Sequence, residues 1–161
     1  MGVSYICRVF KDIWQMSKKE LTGLLHEPLI AYGHLEGQSA YSIIDRIKEG
    51  LKFSTFLQLT KNLPFNMKDW SQFLHLSERT LQRYNKEKKS FDSTYAEKII
   101  QIILLYNYGK KVFGKNQKFD KWLDTLNIAL GRSKPKDFLD SYLGITLIKD
   151  ELTKIEHGVL A

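Results

Sequence analysis

The chain is expected to be all-α, and three observations carry that expectation. Strict apolar–polar alternation is scarce, apolar residues recur at i, i+3 and i+4, and most runs end at a residue that starts or stops a helix. With 161 residues, 43% hydrophobic and 27% charged, the chain can bury one core, or a small domain plus an appendage.

The elements follow in order. Residues 1–25 carry a short amphipathic pattern in Val9, Ile13, Trp14 and Met16. Residues 26–40 collect Pro28, Gly33 and Gly37 and are expected to be a linker. SIIDRIKEG is a helix closed by Gly50, and KFSTFLQLTKNL is one that stops at Pro64. NMKDWSQFLH starts at Asn66 and SERTLQRYNKEKK at Ser77, both suitable N-caps. A long helix runs from Ser90 or Ser93 to Gly114. QKFDKWLDTLNIAL is expected to close at Gly131, PKDFLDS has Pro135 in its first turn, and LGITLIKDELTKIEHG is the last helix.

Composition excludes several classes. A single cysteine, Cys7, permits neither an internal disulfide nor a multi-cysteine zinc site. The start lacks the long apolar core of a secretory signal, and IIQIILLYNY at 99–108 falls far short of the roughly 20 residues that cross a bilayer. A cytoplasmic protein without a membrane partner is expected. The net charge of +7 raises the question of an acidic partner, nucleic acid being the commonest.

Residues 66–90 have the helix-turn-helix pattern. Trp70, Phe73 and Leu74 face inward from one short helix, Leu76 and Ser77 form a tight turn, and Leu81 and Tyr84 face inward from the next. Ser77, Arg79, Thr80, Gln82, Arg83 and Lys86 are left toward solvent. Arginine and glutamine pair bidentately with base edges, threonine offers a methyl and a hydroxyl, and the N-terminus at Ser77 can meet a phosphate. Lys86, Lys88 and Lys89 add charge for the sugar–phosphate backbone. The alternative is a helical hairpin that merely shows water its charged side.

The long helix is apolar nearly all round from Ile99 to Tyr108, which calls for burial on several faces. Either it is a central core helix, or one face, over 96–113, belongs to a homodimer. Two-fold symmetry is common among DNA readers of this type.

No catalytic pattern appears. His26, His34, His75 and His157 have no metal-ligand spacing, no phosphate loop or nucleophile elbow occurs, and Cys7 has no evident base in sequence. No metal, cofactor or catalytic residue is expected.

Residues 122–161 resemble the toxin-binding domain of the Xre/MbcA/ParS antitoxin family. The landmarks are Trp122-Leu123, Asn127 with Ala129-Leu130-Gly131, Pro135 and Asp137-Phe138-Leu139-Asp140. Gly144, Leu152 with Ile155, and the closing Glu156-His157-Gly158-Val159-x-Ala161 complete the set. Leu126, Arg132 and Ser141 depart from the usual proline, glycine and threonine. Residues 41–121 are similar to the Xre-like DNA-binding part, with SERTLQRY where its second helix begins.

The resemblance implies a type II antitoxin. Residues 1–40 would be an N-terminal extension and linker, 41–114 an Xre-like DNA-binding domain, and 115–161 a toxin-binding domain with its tail. The partner would be a RES-domain toxin that consumes NAD, and the N-terminal part would bind the operon's own promoter. Glu156, His157, Gly158, Val159, Leu160 and Ala161 would be the toxin-binding residues. Val159 and Leu160 would anchor in a cleft, and the carboxylate of Ala161 would meet donors built for a phosphate. Without the resemblance, a tail folded back on its own core is the leading reading. The rival functions are a stand-alone regulator whose C-terminal part only dimerises, and a small enzyme using His75 or Cys7.

Overall fold

Residues 40–158 are described by the computed structural model, and they are helical apart from one minimal strand pair. The expectations for residues 1–39 lie outside the described residues, as do those for Val159, Leu160 and Ala161.

Helix α1 (Ala40–Glu49) ends at Gly50, which has φ +80°. Next comes β1 (Leu51–Lys52), antiparallel to β2 (Ser90–Phe91) with Leu51 opposite Phe91. The all-α class holds, with this one short ladder added to it among the described residues. Two residues are too short to display a period of two, and what holds the ladder is burial of Leu51 and Phe91.

Helix α2 (Phe53–Thr60) was expected to reach Pro64 but stops four residues sooner. The Thr60 hydroxyl donates to the Phe56 carbonyl at 2.8 Å, and the Leu63 N–H closes a turn on the Thr60 carbonyl at 3.0 Å. Helices α3 (Met67–Phe73) and α4 (Glu78–Lys86) form the helix-turn-helix. Phe53, Phe56, Phe91 and Trp70 join in edge-on and stacked contacts, with ring centroids 5.1 to 5.6 Å apart.

Helix α5 (Ser93–Phe113) is the spine. Asp92 caps it rather than Ser90 or Ser93, accepting the Tyr95 N–H at 3.1 Å. Helices α1, α2 and the later helices α6 (Asn116–Leu123) and α7 (Tyr142–Glu156) pack on it. Ile99, Ile100, Ile102, Ile103, Leu105 and Tyr106 are all buried within the chain itself. Each contributes about 1.5–3 kcal/mol of burial. Leu104, Tyr108, Val112 and Phe113 of the same helix are only half-buried, so the chain covers most of the apolar faces of α5 in cis but not all of them.

The run from Gln117 to Leu130 is not the single segment expected. Helix α6 ends at Leu123, where the Thr125 hydroxyl donates to the Lys121 carbonyl. The Asn127 side chain then caps a separate 3-10 turn, Ile128–Leu130, by accepting the Ala129 N–H, and Gly131 follows with φ +66°. Local side-chain acceptors outcompete helix continuation here. A second 3-10 turn, Pro135–Asp140, starts with proline as expected and leads into α7 through Ser141, which accepts the Gly144 N–H. Gly144 lies against this turn so closely that a Cβ would stand 2.0 Å from the Phe138 carbonyl oxygen. The described residues form one compact unit.

Candidate functional site

The sequence between Asn66 and Lys86 builds its first surface by capping. Asn66 accepts the Asp69 N–H at 2.9 Å while the Asp69 carboxylate accepts the Asn66 N–H at 2.8 Å, a reciprocal box that starts α3. His75 takes φ +52° and turns the chain. Ser77 starts α4 by accepting the Thr80 N–H at 3.0 Å, and its hydroxyl lies 2.9 Å from that of Thr80. Leu81 is fully buried, which locks the rotation of α4 and leaves its other side outward.

The six residues expected to face nucleic acid lie along this one helix. Arg79, Gln82, Arg83 and Lys86 are exposed, and with Ser77, Thr80 and Glu87 they line a shallow concavity. They divide into two groups. Ser77 and Thr80 hold the helix start together and give it direction, whereas the long cationic and amide side chains reach outward. Glu87 enters the same surface, held by Lys89 at 2.7 Å, and that bond keeps its carboxyl below the usual range. Lys89, expected to serve a phosphate, is thus already engaged. His75 is engaged too. Its Nε2 lies 2.9 Å from the Asp140 carbonyl oxygen.

That contact belongs to a seam. Lys98 of α5 donates to the same Asp140 carbonyl, and burial lowers its ammonium pKa. At the opposite end of α3, Lys136 binds the other oxygen of Asp69 at 2.9 Å and approaches Asp124 at 3.8 Å. The two ends of α3 are therefore tied to residues near the two ends of the 3-10 turn Pro135–Asp140. Asp69 serves both sides, capping α3 with one oxygen and accepting Lys136 with the other.

The second surface lies beyond the seam. Glu156, His157 and Gly158 are exposed at the end of α7. The Gly158 N–H closes on the Ile155 carbonyl at 3.1 Å, with φ +67° turning the chain away from the helix axis. Glu156 is not an isolated acid: the Tyr108 hydroxyl of α5 donates to its carboxylate at 2.5 Å. Val159, Leu160 and Ala161 lie outside the described residues.

Sequence reasoning missed a set of exposed apolar side chains in the last third of the chain. Leu126 (63%), Ile128 (85%), Tyr142 (67%), Leu143 (79%) and Leu147 (43%) are exposed. Ile145, Ile148 and Leu152 bury the inner side of α7, so its outer Leu143 and Leu147 are surplus to its own core. The signal was available: LGITLI carries more apolar residues than one stripe needs. Among the described residues no cluster of potential metal ligands occurs, and no helix is long and apolar enough to cross a membrane.

Two family models match the chain. The antitoxin Xre-like helix-turn-helix domain matches residues 42–103, and the antitoxin Xre/MbcA/ParS C-terminal toxin-binding domain matches residues 109–158. Both matched regions include part of α5, so no linker separates them. No curated protein matches the chain.

Proposed function

Because the chain belongs to the Xre/MbcA/ParS-type antitoxins, with a DNA-binding helix-turn-helix and a toxin-binding domain, we propose that its toxin is a RES-domain, NAD-consuming protein. In this reading the toxin-binding domain and the tail from Glu156 to Ala161 cover the toxin's NAD pocket. Helix α4 binds the operon's promoter and represses it, with Arg79, Gln82 and Arg83 at base edges and Lys86 on phosphate. Ser77 and Thr80 hold the helix start against the backbone. Two copies act on a two-fold operator, as half-site symmetry suggests. Both tasks place the protein in the cytoplasm, and no catalytic role is assigned.

The observation that supports this reading best is the pairing of two surfaces on one body. One is a cationic face on a capped, core-locked helix, and the other is the set of surplus apolar side chains between Leu126 and Leu147. Apolar surface beyond what a fold needs is what a protein partner would cover.

The test is co-expression with the product of the neighbouring gene, which on this reading is a RES-domain protein. Co-purification, with loss of the toxin's NAD consumption in the complex, is the expected result. A complex that still consumes NAD freely removes the pocket-covering part. Failure of any complex to form leaves the stand-alone regulator.

A further inference from the structure

Tyr108 lies between the two family-matched regions, on α5, and neither the cap of that helix nor its buried apolar set requires its hydroxyl. Its ring lines a groove between α5 and α7, together with Leu104, Tyr142, Ile145 and Thr146. Its hydroxyl reaches the last turn of α7. It donates to Glu156 at 2.5 Å and stands 3.2 Å from the Thr153 hydroxyl. The Glu156 carboxylate can only accept, so the phenol is the donor in that bond, while the Thr153 hydroxyl donates to the Lys149 carbonyl of its own helix at 2.9 Å. The bond to Glu156 raises the phenol's pKa, the direction expected of a donor to a carboxylate.

Glu156 is the last residue of α7, and Gly158, two residues on, turns the chain off the helix axis with φ +67°. Helix ends fray, and a free last turn would sample many exit directions for whatever follows. A bond from a neighbouring helix to the terminal residue suppresses that fraying. We infer that Tyr108 is a positioning residue for the toxin-binding tail: by holding Glu156 on α5 it fixes the last turn of α7 and the turn at Gly158 from which the tail begins. The inference rests on the reading of the tail as the toxin-contacting element. It also reassigns Glu156, whose carboxylate serves the antitoxin's own geometry rather than primarily a direct toxin contact. A tail presented in one direction binds more tightly because less freedom is lost on docking.

The experiment uses the full chain and the toxin that co-purifies with it in the co-expression test. Tyr108→Phe removes one hydroxyl, Glu156→Ala the acceptor and its charge, and Glu156→Gln the charge alone while leaving a carbonyl for Tyr108. Tyr108→Phe and Glu156→Ala should each weaken toxin binding about five- to tenfold. The double variant should be no worse than Glu156→Ala, and Glu156→Gln should stay within about threefold of the parent. Promoter affinity should not move in any of them. In the free protein, Tyr108→Phe should speed hydrogen exchange at His157 and Gly158 without affecting α4. Direct recognition of the Glu156 charge would make Glu156→Gln as damaging as Glu156→Ala and Tyr108→Phe harmless, and that overturns the inference. Unchanged exchange in Tyr108→Phe overturns it as well. Deleting Gly158–Ala161 separates the two levels. If that deletion leaves toxin binding intact, the tail reading fails by itself; if it abolishes binding while Tyr108→Phe does not weaken it, only the positioning role fails.

Discussion

The helix-turn-helix pair and the last third of the chain treat apolar residues differently, although Tyr41, Ile44 and Leu57 ahead of the pair are exposed as well. In the helix-turn-helix, inside and outside are cleanly separated: Trp70, Phe73, Leu74 and Leu81 are buried, while Arg79, Gln82, Arg83 and Lys86 are exposed. In the toxin-binding half the division fails, and Leu126, Ile128, Tyr142, Leu143 and Leu147 stand in water beside a complete core of their own. A surface that meets a polyanion needs charge and water, whereas a surface that meets a folded protein needs apolar area to desolvate. The difference marks which kind of partner each half accommodates.

The strongest way to break this contrast is in the buried set. Leu81→Ala should destabilise the protein by about 2–5 kcal/mol, because α4 has no other fully buried anchor and the cavity it leaves lies beneath the DNA face. Denaturant unfolding measures the loss, and promoter binding should fall with it. A change below about 1 kcal/mol would mean that α4 is held by something other than its packing.

Next comes the tail. Deleting Gly158–Ala161 should lower toxin affinity a hundredfold or more while moving stability by under about 0.5 kcal/mol. Growth protection read beside thermal melting decides it. A truncated protein that still protects cells shows that the tail is not the plug.

Smaller effects sharpen the contrast on the cationic side. Arg79→Ala and Arg83→Ala should each cost about 1–3 kcal/mol of specific promoter binding, and Lys86→Ala should weaken all sequences evenly and flatten the salt slope. Titration of the intact protein at several salt concentrations separates the two behaviours. If the Arg79/Arg83 double variant binds its promoter as well as the parent, α4 is not the reading helix.

The smallest stability effect is expected on the apolar outer face. Leu143→Ala should leave stability within about 0.5 kcal/mol, because the side chain is 79% exposed, yet it should weaken the toxin complex. Calorimetric titration against the toxin, paired with melting, checks both. A large drop in melting temperature would place Leu143 in the chain's own core.

The sequence by itself determined the helical class and the caps at Asn66 and Ser77. It also determined the stops at Gly50 and Gly114, the inward set of the helix-turn-helix and the outward set on α4. These are short-range properties. A cap is settled within three residues, and a buried stripe by a period of 3.6, so both are written locally. Tertiary structure alone decided the rest. It decided that most of the apolar faces of α5 would be covered in cis and that β1 and β2 would meet across the 37 residues between them. It also decided that Asp69, His75 and Lys98 would be tied to the turn Pro135–Asp140, and that Glu156 would lie under the hydroxyl of Tyr108. Each of these contacts joins residues far apart in the chain. No local pattern encodes such a pairing, because the partner's position exists only once the spine has been packed from both sides.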